Sequence, residues 1–128
     1  MSGADVSDLF RALIHVGTVV AVRQEYHVYR SATGNFVVLN PSSRGSNSYY
    51  LTQVQAEKVE ALAKAVGKGG ATTGSLMKES KLDQTFGTKE NVGKRFDILM
   101  GLYVLTALGQ VEMKKSGRNL VFSRRSEA

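Results

Sequence analysis

Residues 98–123 read ILMGLYVLTALGQVEMKKSGRNLVFS, and this stretch decides the predicted fold. Its first half is a mainly apolar run that ends at Leu108-Gly109, and glycine at this place is typical of a helix end. Upstream, apolar residues continue at three- and four-residue steps. The spacing therefore predicts a long helix from about Thr88 or Lys89 to Leu108.

The second half of the quoted stretch predicts a β-hairpin. Residues 110–114 and 119–123 flank Ser116-Gly117-Arg118, a short turn in which glycine can adopt a left-handed conformation. The tail, residues 124–128 (RRSEA), is polar and charged, so we expect it to fray.

Upstream of the long helix the pattern predicts two more helices. Thr52 and Gln55 fit a capping box, and the apolar stripe that follows predicts a helix over residues 53–66. Thr72 or Thr73 can cap a short helix that continues to about Ser80. A polar connection, KLDQTFG, then leads to the long helix.

The N-terminal part predicts one helix and a three-stranded antiparallel meander. Apolar spacing favours a helix over Asp5–Val16, and a run rich in valine and tyrosine favours one long strand over Val19–Arg30. Two shorter strands, Phe36–Leu39 and Ser48–Leu51, follow polar turns. The prediction is an α+β fold with a single domain over residues 1–123, made of a helix-plus-meander half (1–51) and a helical half ending in the hairpin (52–123).

Composition limits the classes of function. The 128 residues include no cysteine and two histidines, which removes disulfide, thiolate-zinc and cysteine-nucleophile chemistry. The glycines near Lys68 lack the Lys-Ser/Thr pair of a phosphate-binding loop. We therefore expect no catalysis, no metal site and no cofactor. No segment has the length and apolar character of a membrane span, so we expect a cytoplasmic or nucleoid-associated protein.

The charge of the chain favours a polyanionic partner. Seventeen Lys and Arg stand against eleven Asp and Glu, a formal net charge of +6. Residues 1–64 hold six basic and five acidic side chains, whereas residues 65–128 hold eleven and six. The basic character thus belongs to the C-terminal half, and a nucleic acid is the expected partner, with DNA favoured over RNA.

The meander carries aromatic and basic residues in alternation. Aromatic rings stack on unpaired bases and neighbouring arginines bind the backbone, which is the chemistry of sequence-tolerant single-strand binding. Period two places Tyr26 and Tyr29 on opposite faces, so only part of this set can share one surface. The candidate residues here are Arg23, Tyr29, Arg30, Arg44, Tyr49 and Tyr50.

The order of helix, short helix, long helix and basic hairpin over residues 52–123 resembles the winged-helix DNA-binding fold, of which the quoted stretch is typical. The resemblance implies that the long helix enters the major groove and that the hairpin is the wing. It implies that Lys89, Lys94 and Arg95 at the start of the long helix lie near phosphate or the major groove, and that Lys114, Lys115 and Arg118 lie at the tip of the wing. Asn91 and Gln84 are its candidates for base contacts.

Size, element order and composition are also similar to the archaeal single-stranded-DNA-binding family called ThermoDBP, without a shared residue motif. Three functions stay open. The first is non-catalytic binding of single-stranded DNA through the sheet and the basic hairpin. The second is a winged-helix regulator that binds double-stranded DNA, and the third is a protein-interaction scaffold, in which a homodimer joins through the N-terminal helix or an edge strand.

Overall fold

The computed structural model describes residues 13–21, 24–41 and 49–125, and it has the predicted α+β architecture. Strands β1 to β4 and then helix α1 come first, followed by three short helical segments, the long helix α4 and a final hairpin. Their bounds are β1 Ile14–Ala21, β2 Gln24–Arg30, β3 Phe36–Pro41, β4 Tyr49–Val54, α1 Ala56–Ala65, α2 Thr73–Met77, a 3₁₀ turn Ser80–Leu82, α3 Asp83–Phe86, α4 Val92–Ala107, β5 Val111–Ser116 and β6 Asn119–Arg124.

The first four strands form one antiparallel sheet in the order β1-β2-β3-β4. The single long strand predicted for Val19–Arg30 is wrong, because Ala21 pairs with Gln24 and the chain reverses between them. The meander therefore has four strands instead of three. Residues 5–12 of the predicted N-terminal helix lie outside the described residues, but Ile14–Val16 belong to β1, so the predicted helix end is wrong.

The core lies between one face of this sheet and the helices. Val28 and Val38, paired across β2 and β3, are fully buried on that face. Helix α4 packs against all four strands and against α1 and α2, and its buried residues run without interruption from Met100 to Leu105. The predicted long helix is confirmed, although it begins at Val92 instead of Thr88 or Lys89. Over most of its second half, α4 is buried on every side.

The helix ends show which capping predictions hold. Thr72 caps α2, since its hydroxyl accepts from the Ser75 amide at 3.0 Å and the Ser75 hydroxyl accepts from the Thr72 amide. The capping box predicted at Thr52 is wrong, because Thr52 lies in β4. The first amide of α1, at Ala56, donates instead to the Asn35 side chain from the β2–β3 turn, at 2.9 Å. Within the segment predicted as a polar connection, the 3₁₀ turn and α3 are helical.

The C-terminal hairpin is confirmed and is tied to the helical layer. Gly117 adopts the left-handed conformation that its turn requires (φ 61°). Ala71, between α1 and α2, exchanges two backbone hydrogen bonds with Phe122 of β6. Phe122 is itself fully buried, so the base of the hairpin belongs to the core. Arg124, predicted to fray, is part of β6.

The contribution of Tyr103 to the free energy of unfolding depends on pH in the alkaline range. Burial raises the pKa of Tyr103 well above its ordinary value, and Tyr26, whose ring lies 4.3 Å away, adds to the rise. Above about pH 10 an unfolded tyrosine loses its proton while the native one keeps it, so unfolding releases a proton and the free energy of unfolding falls as pH rises. This contribution is fully present below that pH.

We expect Tyr103→Phe to remove the part of the fall in unfolding free energy above about pH 10 that Tyr103 causes. Urea unfolding of both proteins at several values between about pH 8 and 11 measures it, because one proton changes the slope by up to about 1.4 kcal/mol per pH unit. The free energy of unfolding of the variant will fall less steeply above about pH 10 than that of the parent. Parallel curves for parent and variant would contradict the assignment.

Candidate nucleic-acid interface

A basic groove opens where α1, α4 and the hairpin meet. Its volume is about 980 Å³, and four of its eight lining residues are cationic: Lys64, Lys68, Arg124 and Arg125. The other lining residues are Ala63, Gly109, Gln110 and Val111, so none of the lining residues within 13–21, 24–41 and 49–125 is a carboxylate. We call this site the basic groove.

Backbone hydrogen bonds hold the segments of the basic groove together. The Arg124 amide donates to the Gly67 carbonyl at 3.0 Å, which joins β6 to the loop that carries Lys68. The Arg125 amide donates to the Gln110 carbonyl at 3.1 Å. The cationic side chains thus come from two distant parts of the sequence, residues 64–68 and 124–125, yet their backbones are fixed relative to one another.

The four cations of the groove have different local partners. The Arg124 guanidinium donates to the Ala63 carbonyl at 2.7 Å, where it satisfies the C-terminal end of α1. Arg125 lies 3.9 Å from Glu112, and both side chains are at least half exposed, so this pair contributes little to stability. Lys64 and Lys68 have no ion pair within the described part of the chain. Lys64, Lys68 and Arg125 are therefore the groove cations best placed to bind an anion.

The hairpin extends the basic surface away from the groove. Lys114, Lys115 and Arg118 are all exposed. Val111 pairs with Arg124, and Lys115 follows Val111 by four residues, so Lys115 lies on the same face of the hairpin as Arg124. Lys114 lies on the opposite face. From Arg124 to the turn at Arg118 the strand spans about 20 Å.

The structure removes Lys94 from the candidate surface. Its side chain is 2% exposed, and its ammonium donates to the Met77 carbonyl at 2.9 Å and to Asp83 at 3.2 Å. A nucleic acid cannot reach this group, because α2, α3 and α4 enclose it. The prediction that Lys94 contacts phosphate is corrected: Lys94 joins three helices.

Only the first two turns of α4 present a free face. Arg95 is exposed there, but its exposed neighbours Val92 and Phe96 are apolar. The Asn91 side chain caps the helix by accepting from the Lys94 amide at 2.9 Å, so it is already engaged. This end of α4 offers one cation and few groups that could read base edges.

The residues of the predicted aromatic platform lie on two faces of the sheet. Tyr29 and Tyr49 point away from the core, and Tyr29 contacts the His15 ring at 5.2 Å. Arg30 and Tyr50 lie on the core side, where Arg30 sits 5.5 Å above the Phe36 ring. Tyr49 and Tyr50 are exposed on the edge strand β4. The platform therefore does not assemble as one surface.

Two further predicted arginines, Arg23 and Arg44, lie outside the described residues. Within the described residues, no group of three or more His, Cys, Asp or Glu side chains converges as metal ligands would. The same residues contain no helix of the length and apolar character needed to cross a membrane.

Sequence reasoning missed the residues of the basic groove. Lys64 and Lys68 are ordinary solvent-facing positions in the sequence, and Arg124-Arg125 belong to a polar tail. The only signal was the excess of positive charge after residue 64. Comparison of the chain with protein-family models, with curated proteins and with solved structures finds no match.

Proposed function

We propose that this protein binds nucleic acid without catalysis and that the basic groove holds the phosphate backbone. The observation that carries the proposal is the convergence of Lys64, Lys68, Arg124 and Arg125 on one open groove, with no carboxylate among the lining residues that the structure describes. Cations held in a concave surface reinforce one another's field and attract a polyanion, and each phosphate they neutralise releases counterions.

The hairpin supports a path for the strand beyond the groove. Lys115 and Arg118 place further cations toward the tip of the hairpin, up to about 20 Å from Arg124 and beyond the apolar residues Met113, Leu120 and Phe122 of the same face. A polyanion several nucleotides long would thus meet cations at two places, in the groove and at the hairpin tip. A single small anion would use only the groove.

Single-stranded DNA is the favoured ligand within this proposal. Reading base edges through a recognition helix requires a free face with polar groups, and α4 has a free face only over its first two turns, where Arg95 is its one exposed cation. A flexible single strand can follow a groove and a hairpin without such a helix. The exposed rings of Tyr49 and Tyr50 are available to unstacked bases, although they lie on β4.

Neutralising the groove tests the proposal. We expect the variant Lys64→Gln, Lys68→Gln, Arg125→Gln to bind a labelled single strand about 100-fold more weakly at 0.1 M salt, since three lost phosphate contacts each remove about 0.7 from the salt slope. Arg124 is kept because it caps α1. Fluorescence anisotropy with single-stranded DNA, matched duplex and matched RNA, at about 50 and 200 mM salt, gives affinity and slope.

The control variant Lys78→Gln, Lys89→Gln, Arg95→Gln removes the same three charges from exposed positions outside the groove. It will retain affinity to within about threefold if the contacts are local to the groove. Equal losses in the two variants would mean that net charge alone drives binding. Undiminished binding by the groove variant would refute the assignment of the site.

Binding of double-stranded DNA is the second candidate, and one observation favours it. The isolated bridge between Ala71 and Phe122 joins the hairpin to the segment between α1 and α2, which keeps the hairpin beside the helices of the winged-helix-like order. In that case Lys89 and Arg95 at the start of α4 would contact the duplex. The same experiment separates the two: preference for duplex, with loss confined to the Lys78, Lys89, Arg95 variant, would favour this candidate.

A further inference from the structure

We infer that the only two histidines of this chain hold a divalent transition-metal ion on the four-stranded sheet. His15 lies on β1 and His27 lies on β2. His15 Nε2 lies 3.3 Å from the Thr18 hydroxyl oxygen, and His27 Nδ1 lies 3.0 Å from the same atom. Two imidazole nitrogens from separate strands therefore converge on one point, and we call these two residues the histidine pair. The inference does not depend on the proposed function.

A β-bulge brings His15 into the histidine pair. The pairing of β1 with β2 shifts between His15 and Gly17, so Val16 is an extra residue in β1. In a regular strand, residues three apart lie on opposite faces, which would separate His15 from Thr18. With the bulge, the two side chains lie within hydrogen-bond distance. Bulges often re-aim a side chain next to a functional site, and this one re-aims one of the two imidazoles.

Neighbouring side chains hold both rings. Glu25 Oε2 lies 3.5 Å from His27 Nε2. A carboxylate at this place favours a proton on Nε2, which leaves the lone pair of Nδ1 facing Thr18. The Tyr29 ring lies 5.2 Å from the His15 ring and packs against it. Histidines that bind metals commonly donate their other ring nitrogen to a carboxylate, so His27 has the surroundings of a metal ligand.

The distances allow a single ion to bind both rings. The two nitrogens are at most about 6 Å apart, and an ion bonded to both at about 2.1 Å requires about 4 Å or less. A shift of about 1 Å in each ring therefore closes the site. His15 is exposed and the His27 side chain is 28% exposed, so both rings have room for this shift. Water on the exposed side supplies the remaining ligands.

The chemistry of the ligands determines the class of ion. Neutral imidazole suits Cu²⁺, Ni²⁺ and Zn²⁺, whereas Ca²⁺ and Mg²⁺ bind mainly to oxygen. For the same ligands the affinity rises from Ni²⁺ to Cu²⁺ and falls again at Zn²⁺, so Cu²⁺ will bind most tightly. The sequence pattern does not indicate this site, because it places His15 in a predicted helix and His27 in a predicted strand.

The bound ion joins the edge strand β1 to its neighbour β2. The unfolded chain does not hold the two histidines together, so the ion binds the folded protein preferentially and stabilises it. We therefore expect Cu²⁺ to raise the midpoint of thermal unfolding and to slow the amide hydrogen exchange of β1.

Isothermal titration calorimetry of the full chain without nucleic acid tests the inference, with Cu²⁺, Ni²⁺, Zn²⁺ and Mg²⁺ as separate titrants. We expect one Cu²⁺ per chain, weaker binding of Ni²⁺ and Zn²⁺, and no binding of Mg²⁺. His15→Ala and His27→Ala will each abolish this site, because a single imidazole cannot chelate the ion. Histidines that bound ions independently would instead leave one site of unchanged affinity in each variant.

Two carboxylate variants separate the positioning of His27 from the effect of net charge. Glu25→Gln removes the partner of His27 Nε2 and will weaken Cu²⁺ binding about tenfold. The control Glu112→Gln removes a carboxylate from β5, whose side chain is 50% exposed against 59% for Glu25. This control will bind Cu²⁺ like the parent. Equal losses in the two variants would overturn the positioning role of Glu25.

Several results would overturn the inference. A parent that binds none of the three transition-metal ions, or that binds Mg²⁺ equally well, is one of them. A single-histidine variant that is folded and retains the parent's affinity for Cu²⁺ is another. Thermal unfolding without metal shows whether each variant is folded. Because His15 is exposed, His15→Ala decides the question alone if His27→Ala does not fold.

The variant Lys64→Gln, Lys68→Gln, Arg125→Gln separates this inference from the proposed function. It retains the histidine pair, so it will bind Cu²⁺ like the parent even where it no longer binds nucleic acid. His15→Ala, in turn, will bind single-stranded DNA like the parent in the absence of metal. Loss of Cu²⁺ binding in the groove variant would place the ion outside the histidine pair and overturn the inference, whatever the result of the DNA-binding experiment.

Discussion

Replacing Asp83 with alanine will destabilise the protein by about 3 kcal/mol, more than removing its partner Lys94. The two side chains form an ion pair at 3.2 Å, but their environments differ: Lys94 is 2% exposed and Asp83 is 37% exposed. Without Asp83 the buried ammonium keeps only the Met77 carbonyl as a partner, and a buried charge without a counter-charge is costly. Thermal unfolding will then occur about 10 °C lower.

Lys94→Met is the informative comparison. Methionine keeps much of the volume of the lysine stem, and the remaining carboxylate of Asp83 can bind water, so we expect a cost of only about 1 kcal/mol, from the unpaired Met77 carbonyl. The double variant Asp83→Ala, Lys94→Met has no buried charge without a partner, so it will be more stable than Asp83→Ala alone. Urea unfolding of the four proteins measures this coupling.

The double-mutant cycle of Asp83 and Lys94 also has a result that would contradict this interpretation. Equal losses from the two single changes, with a double variant equal to their sum, would mean that Lys94 is not trapped in a buried site. An exposed lysine such as Lys78 provides the reference, because Lys78→Met will change the free energy of unfolding by less than about 0.5 kcal/mol. If Asp83→Ala were as stable as the parent, Lys94 would again be a candidate for contact with nucleic acid.

The predictions that hold rest on local chemistry. The end of α4 at Leu108-Gly109 follows from glycine, which adopts a φ of 77° there, and the hairpin follows from a turn that needs Gly117 in a left-handed conformation. The cap of α2 follows from hydroxyl groups three residues apart, at Thr72 and Ser75. In each case the deciding contacts lie within a few residues of sequence.

The predictions that fail concern contacts made across the chain. The reversal between Ala21 and Gln24 has no glycine, asparagine or proline to indicate it, so the strand pattern continued through it. The start of α1 is stabilised by Asn35, which is 21 residues away, instead of by Thr52. Sequence spacing alone cannot distinguish a capping box from a strand residue followed by a helix.

The candidate site shows the same difference between features set by local sequence and features set by contacts across the chain. Total charge indicated an anionic partner and the basic half of the chain, but the groove brings together Lys64, Lys68 and Arg125, which no local pattern connects. Lys94, by contrast, looked like any surface lysine on an amphipathic helix, and only the packing of α2 and α3 around it shows that it is buried. Burial of a long polar side chain is a tertiary property, which periodicity does not report.

Gly101 allows α4 to approach Leu62 of α1 closely, and Gly101→Val will cost about 3 kcal/mol of unfolding free energy. A Cβ built at Gly101 overlaps the Cδ1 atom of Leu62, which is fully buried, so the leucine must change its conformation within the packed core. Gly101→Ala gains about 1 kcal/mol of helix propensity, but the cost of the overlap is similar or larger. Valine adds two further carbons and has a lower helix propensity than alanine. Urea unfolding will show the order parent, Ala, Val in falling stability.

Leu62→Ala supplies the second arm of this experiment, because it removes the atoms that valine would overlap. Alone it opens a cavity and costs about 3 kcal/mol, but in the Gly101→Val background it will cost far less, since the new side chain occupies the vacated space. Gly93→Ala in the same helix is the control. The nearest atom to its added Cβ is Asn91 Oδ1 at 3.4 Å, so it will stabilise α4 by about 0.5 kcal/mol. If the two losses were simply additive, the helices would be free to separate at this crossing, and tight packing against α1 would not explain why the centre of α4 is buried.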